Sequence, residues 1–444
     1  MFVMRLKNSF NLEGGRLSMK KLMSCITVLS MIMLVVAGCS SNASKEDEKE
    51  NKNDGPVTID YFTFSPGEAH EEDLKKMIAV FEEKNPNIKI NYEMASFDDY
   101  FTKLQTQLAG GDAPDTFELN YENFVNYAAK GALKGLDSLI KEDSEFSPDQ
   151  LNQEAYKAFQ YDGKQYGMVE SFSNVVLFYN KDLFDQAGVD YPQADWTWDD
   201  ELEAAKELTN KEKGVWGTFA PIQFWEFYKT IAQNGGAVLN EDKTEATVNS
   251  QANIEALQWM IDKVNKYEVT PSEKDLSGQS NGDLFKAGKI SMLRTGIWMF
   301  DSFKDVPFAW DIALEPGKTQ KAHHFFANGL AVSKDTEYPE AAWKWVKFMS
   351  ASEEAAKIRV DSSWELPAVS NDALVEDYLQ KTPPQSREVV FKALDSLVVP
   401  PVIEEWNKLT DTFTKELDKV KLGEKTPEEA LNDLQPKIQE LINK

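Results

Sequence analysis

From Val57 onward the chain alternates short β-branched and aromatic runs with amphipathic helical stripes, and this alternation constrains the fold more than any other feature. Val57-Thr58-Ile59-Asp60-Tyr61-Phe62-Thr63-Phe64 reads as a strand that Ser65-Pro66-Gly67 breaks. Leu74, Ile78 and Phe81 then mark one helical face that stops before Asn85-Pro86. Ile88 to Tyr92 alternates as a second strand. Ser96 with Asp99 opens another helix as a capping box, Phe101, Leu104 and Leu108 form its apolar face, and Gly110-Gly111 ends it. Thr116 to Leu119 is a third short strand. Strands and helices in this order predict an α/β sheet with helices on its faces.

The pattern continues. Asp162-Gly163 between Tyr161 and Tyr166 is a tight-turn signal. Val175 to Tyr179 is a buried-strand run, and Thr197 with Asp200 caps a helix carrying Leu202, Ala205 and Leu208. Leu284 to Leu293 reads helix, glycine, strand, and Leu330-Ala331-Val332 is a further strand. A long helix carries Ala341, Trp345, Val346 and Met349, and residues 389–441 are mostly helical.

The first part of the chain is different. Lys20-Lys21 precedes an apolar run from Leu22 to Val36, about the length of a secretory core and short for a membrane span. Leu34-Val35-Val36-Ala37-Gly38-Cys39-Ser40-Ser41 then resembles the lipobox of bacterial lipoproteins, in which the cysteine is diacylated and becomes the first residue. An ordinary signal peptide, or an uncleaved anchor, is the competing reading. Residues 1–18 lack leader character, so Met19 is the better start. The expected division is a signal peptide over 1–38 and a lipidated, flexible tether over 39–56. Of two cysteines, Cys25 lies in the leader, so the processed chain keeps only Cys39. Without an internal disulfide, an exported protein must rely on its hydrophobic core. The whole chain carries −26 and residues 1–38 carry +4, leaving −30 on the remainder. Such a surface repels phosphate backbones and anionic lipid, so nucleic acid is excluded as a partner and membrane attachment rests on Cys39.

Several local sequences, in this order, resemble one family. They are Lys103 to Asp115 (KLQTQLAGGDAPD), Tyr127 to Leu133 (YAAKGAL), Asp162 to Gly167 (DGKQYG), Phe178 to Phe184 (FYNKDLF), Trp196-Thr197-Trp198, and Ala287 to Met292 (AGKISM). Together they are similar to the extracellular solute-binding proteins of carbohydrate ABC importers, the group that includes maltose-binding protein. The resemblance spans roughly residues 57–440. It implies an α/β, two-lobed periplasmic-binding-protein-like fold (type II) with a hinge between lobes and a ligand cleft at their interface. It places lobe one at 57–168 plus 312–371 and lobe two at 169–311 plus 372–444. It implies a monomer, lipid-anchored on the extracellular face of a Gram-positive-type cell membrane. Its partners would be a carbohydrate ligand and the permease's transmembrane subunits.

Sugar recognition needs flat apolar faces for C–H surfaces and paired polar groups for hydroxyls, in loops at strand ends. By the resemblance, Trp298 in Gly296-Ile297-Trp298 occupies a stacking position, with a core tryptophan as the alternative. Trp406 matches a second stacking position or simply packs its helix. Glu170 matches a carboxylate at the lobe crossing, although Val169 stands where the family often has proline. Asn120 and Glu122 follow the third strand, Trp225 matches a subsite aromatic, Trp364 lies at the return crossing, and Phe64 ends the first strand.

His70, His323 and His324 make no zinc spacing, and no calcium loop, nucleophile elbow, phosphate loop or dinucleotide fingerprint is present. The pair His323-His324 reads as an incidental surface or strand pair rather than a metal site. Neither cofactor nor metal is expected, and binding without turnover is the economical reading. Two rivals stand beside the sugar carrier. One is a carrier of another solute, such as a polyamine or a sugar–amine conjugate. The other is a surface glycoside hydrolase, which needs two carboxyls about 5–10 Å apart across the cleft.

Overall fold

The computed structural model describes residues 55–443, apart from residues 68 and 370. The leader, Cys39 and the tether up to residue 54 lie outside the described residues.

The first strand, Val57–Thr63, pairs in parallel with Ile88–Met94 on one side and Thr116–Asn120 on the other. Parallel neighbours need crossover helices, and Glu71–Lys84 and Phe97–Gly110 supply them. The first buries Leu74, Met77, Ile78 and Phe81, and Phe81 meets Trp345 of the helix Pro339–Ala351 edge-on. The second starts at Ser96, which accepts from the Asp99 N–H while Asp99 accepts from the Ser96 hydroxyl and not from its N–H, so only half of the expected capping box forms, and it ends at Gly111 with φ +82°. Three antiparallel additions extend this sheet: Phe326–Val332 beside Thr116–Asn120, then Gly167–Ser173, then Leu366–Pro367.

A second sheet has the order Trp310–Ala313, Val175–Asn180, Ile290–Gly296, Trp216–Phe219. Trp216–Phe219 runs parallel to Ile290–Gly296, and the other pairings are antiparallel. The helix Trp198–Leu208 packs here behind a complete Thr197–Asp200 capping box. Helices Phe224–Gln233, Gln251–Asn265, Trp406–Lys421 and Pro427–Ile442 close a separate core around Phe227, Leu257, Phe413 and Leu434.

The chain passes between the sheets at three places. Asn174 alone separates Gly167–Ser173 of the first sheet from Val175–Asn180 of the second. The return lies between Ala313 and Phe326, and the last pass between Pro367 and the helix Trp406–Lys421. These passes are tied together. Asn174 donates from Nδ2 to the Val390 carbonyl at 2.8 Å, and His323–His324 pairs in parallel with Leu397–Val398. Two α/β layers joined by crossing segments are the two-lobed architecture expected from the sequence. Among the described residues no helix is long and apolar enough to cross a membrane.

Candidate functional site

Strand register fixes where the two sheets face each other. Thr63, Asn120, Phe326 and Ser173 lie at one edge of the first sheet, because Phe62 pairs with Phe117, Asn120 with Asn328 and Ser173 with Phe326. Val175 pairs with Gly296, so the second sheet presents to the same crossing the loops after Ile290–Gly296 and Trp216–Phe219. The Ile297 N–H reaches the Asn174 carbonyl at 3.2 Å, which closes that corner. Strand ends of two α/β layers meeting at a crossing are where ligands of such folds bind.

Aromatic rings run through this junction. Trp225, at the start of the helix Phe224–Gln233, lies 5.5 Å from the His324 ring. His324 stacks on Phe326 at 5.1 Å and 12°. Phe326 lies 5.8 Å from Trp298. Trp225, Phe326 and Trp298 are half-buried, so part of each ring remains available. His324 is sealed and burial pushes its imidazole down to about 3, so it is neutral. Its Nε2 donates to the Trp225 carbonyl at 2.7 Å, which leaves Nδ1 as an acceptor without a donor. Trp298 folds back over Gly296: a Cβ there would stand 1.9 Å from Trp298 Cζ3.

Unsatisfied polar groups lie beside the rings. Glu122 is buried, Oε2 has no donor, and burial lifts the carboxyl to about 7. The Tyr228 hydroxyl also has no partner, and burial, with Glu122 next, lifts this phenol well above its ordinary range. Buried polar atoms without partners are costly, and a ligand hydroxyl is a direct way to satisfy them. Asn120 ends its strand and accepts from Asn123 Nδ2 at 2.9 Å.

A second cluster occupies the first sheet's side of the junction. Glu118 Oε2 accepts from Thr63 Oγ1 and from the N–H groups of Phe64 and Ser65, which fixes the turn after the first strand. Phe64 is held edge-on between Phe97 at 5.3 Å and Tyr100 at 5.0 Å. Phe97 is 53% exposed and extends that aromatic surface outward. Glu170 is sealed, pairs with Arg359 Nη2 at 2.8 Å and lies beside Glu118 and Glu365. Burial first, and then its carboxylate neighbours, raise Glu170 well above the usual range, with Arg359 opposing. Burial raises Glu365 as well, so Glu170 and Glu365 both lean toward their protonated forms beside the single Arg359 guanidinium.

Trp364 lies in the same cluster, 1% exposed, stacked with His70 at 4.8 Å and with the Arg359 guanidinium 4.1 Å from its ring centre. Trp406 is 8% exposed and packs against Phe224 at 5.7 Å, within the core of the C-terminal helices. In this conformation both tryptophans are packing residues. The structure therefore gathers Trp298, Trp225, Glu122 and Asn120 at one part of the junction and Glu170, Phe64 and Trp364 at another. Phe326, Tyr228, His324 and Glu118 join them, although their sequences gave no local sign of it. Among the described residues, no group of three His, Cys, Asp or Glu could hold a metal ion.

The family of bacterial extracellular solute-binding proteins matches residues 67–356, and this chain belongs to it. It is thus an extracellular binding protein and not an enzyme. Among solved structures it is similar to an ABC substrate-binding protein of Listeria monocytogenes in complex with cycloalternan. Identity is 56% and the TM-score 0.85, over 87% of this chain and 99% of that one. It is also similar to the arabinooligosaccharide-binding protein of Bacillus subtilis, 26% identical over 93% of this chain and 98% of that protein. A third relative is a maltooligosaccharide ABC transporter solute-binding lipoprotein of Streptococcus pneumoniae, 23% identical over 94% of this chain and 96% of that protein.

Proposed function

We infer that this protein captures a sugar or oligosaccharide outside the cell and delivers it to the membrane subunits of an ABC importer. The observation that carries this reading is the series Trp225–His324–Phe326–Trp298 beside the unsatisfied groups of Glu122 and Tyr228. Rings supply faces for C–H surfaces, and the buried polar atoms supply hydroxyl partners. The saccharides in the names of its relatives point the same way. Each lobe takes one sheet with its helices, which moves the lobe boundaries from 168/169 and 311/312 to Asn174 and the stretch between Ala313 and Phe326, and closure about the three passes encloses the ligand. Diacylated Cys39 and the tether keep the body near its permease, in keeping with the pneumococcal lipoprotein.

Calorimetric titration of the mature protein against linear and cyclic glucosaccharides and arabinooligosaccharides tests the assignment, with spermidine as the non-sugar comparison. Micromolar or tighter binding of a saccharide, lost in Trp298→Ala, is the expected result. Tight spermidine binding with no saccharide heat would instead assign the carboxylate cluster of Glu118, Glu170 and Glu365 to a cationic solute.

A further inference from the structure

His323 and His324 are neighbours in one short strand, so their side chains leave it on opposite sides. The strand pairs in parallel with Leu397–Val398, which ties the second pass to the last. His323 fastens that tie. Its Nε2 accepts from the Glu315 N–H at 3.1 Å, so in the neutral ring Nδ1 carries the proton and donates to Ser396 Oγ at 3.0 Å. Glu315 lies in the second pass and Ser396 in the last. His324 is the opposite tautomer, because its Nε2 must carry the proton that the Trp225 carbonyl accepts at 2.7 Å. Burial pushes His323 down to about 4, as it does His324 to about 3, so both rings are uncharged at neutral pH.

His324 stands between groups of the two lobes. Phe326 opens a strand of the first sheet, and Trp225 lies at the start of the helix that follows Trp216–Phe219 of the second. Each neighbour holds the imidazole by a different property. Phe326 takes its face, at 5.1 Å and 12°, and Tyr228 meets it edge to face, at 5.3 Å and 87°. The Trp225 carbonyl takes its N–H. The Trp225 indole donates from Nε1 to Gln223 Oε1, so this residue is pinned at its backbone and at its ring. Phenylalanine at 324 would keep the face and lose the donor, and glutamine would keep a donor and lose the face. No other side chain puts an N–H at the tip of a flat ring this small.

Resting on the saccharide reading above, we propose that His324 is a positioning residue, which sets the separation and tilt of Trp225 against Phe326 across the junction. It is fully buried, so it acts through those two half-buried rings and not by touching the solute. His323 anchors the same strand to the second and last passes, so both rings take their positions from the passes rather than from either lobe alone. Binding groups must be held within roughly 0.5 Å of their working geometry, so a spacer that slips weakens binding without any lost contact of its own.

The test titrates the saccharide that binds most tightly into the mature protein, His324→Phe, His324→Gln, Trp225→Ala and the double variant His324→Phe/Trp225→Ala. Each single change at 324 is expected to weaken binding roughly threefold to tenfold, the scale of one net hydrogen bond. Loss of stability alone would not respect partners, and the double variant separates the two cases. Once Trp225 is alanine, His324→Phe should change affinity by less than about twofold, because the group it positions is gone. Should His324→Phe not fold, His324→Gln takes its place in the cycle. Nitrogen NMR of the wild type reads the tautomers with no substitution at all. The proton should stay on Nε2 of His324 and on Nδ1 of His323 from about pH 5 to 8. Additive losses in the cycle, variants that bind as the wild type does, or a His324 proton on Nδ1 overturn the positioning role and leave the saccharide reading standing. A wild type that binds no saccharide overturns both.

Discussion

Gly296 has no room for a side chain, because the Trp298 ring lies where its Cβ would be. Its backbone is ordinary extended chain, with φ −82°, so a larger residue meets no strain of its own. Gly296→Val should displace the ring and weaken saccharide binding by tenfold to a hundredfold, roughly 1.4–2.8 kcal/mol, as calorimetry would show. Stability should fall by only about 1–3 kcal/mol, the usual range for overpacking. Glu122 makes a prediction about pH. Burial lifts its carboxyl to about 7 in the folded chain, against an ordinary value once unfolded. From about pH 4.5 to 7 the unfolded chain releases a proton that the folded chain keeps, so stability falls as pH rises and levels off above 7. Glu122→Gln imitates the protonated form and lacks that slope. In urea unfolding the variant should be the more stable at pH 8, by up to ~3 kcal/mol, and indistinguishable near pH 4.5. Glu122 was legible in the sequence only through the resemblance. Its neighbour Tyr228 was not, because more than a hundred residues separate two groups that only the finished fold brings together.

Two buried ionic clusters, one per sheet, behave oppositely. Under the second sheet Glu201, Glu226 and Glu315 meet Arg294, Lys229 and Lys263, and the charges balance. Burial alone would raise Glu201, but Arg294 and Lys263 hold it far below the usual carboxylate range. Beside the first sheet Glu118, Glu170 and Glu365 share Arg359. Glu201→Gln removes half of a sealed bidentate pair and should cost about 3–5 kcal/mol. Glu170→Gln replaces a carboxyl already inclined to hold its proton, keeps an oxygen for Arg359, and should cost less than about 1 kcal/mol. Urea denaturation at pH 7 compares them, and the reverse order would sink the charge argument. The elements that carry these groups were unevenly legible. Periodicity located Val57–Thr63, Ile88–Met94, Thr116–Asn120 and their helices, because each shows one face to a sheet. It did not mark Gly167–Ser173, which is buried on both faces and so does not alternate. Trp216–Phe219 and Trp310–Ala313 are too short for a period to register. His323-His324 is a fully buried pair in the small parallel ladder between passes, the strand alternative of its two readings.

At the scale of the molecule, the proposed function requires that the body close and that it stay near a permease. Small-angle scattering should show a smaller radius of gyration when a bound saccharide is added, and no change with Trp298→Ala at the same concentration. Cys39→Ala should release the protein into the medium or leave it unprocessed, with saccharide affinity unchanged. Normal processing with retention on the membrane would refute lipidation. The proposed closing motion would turn on the passes, and the first of them is one residue long. Side chains in a strand alternate with a period of two, so Asn174 sets the phase of Val175–Asn180 relative to Gly167–Ser173. One residue more would exchange the faces of the second sheet's central strand, driving Leu177 and Tyr179 where Val176 and Phe178 belong. Evolution can lengthen the chain between Ala187 and Trp198 at little expense, but at Asn174 length itself is the inherited trait. A glycine inserted after Asn174 should yield insoluble protein, whereas one inserted at Gln193 should leave folding and binding intact.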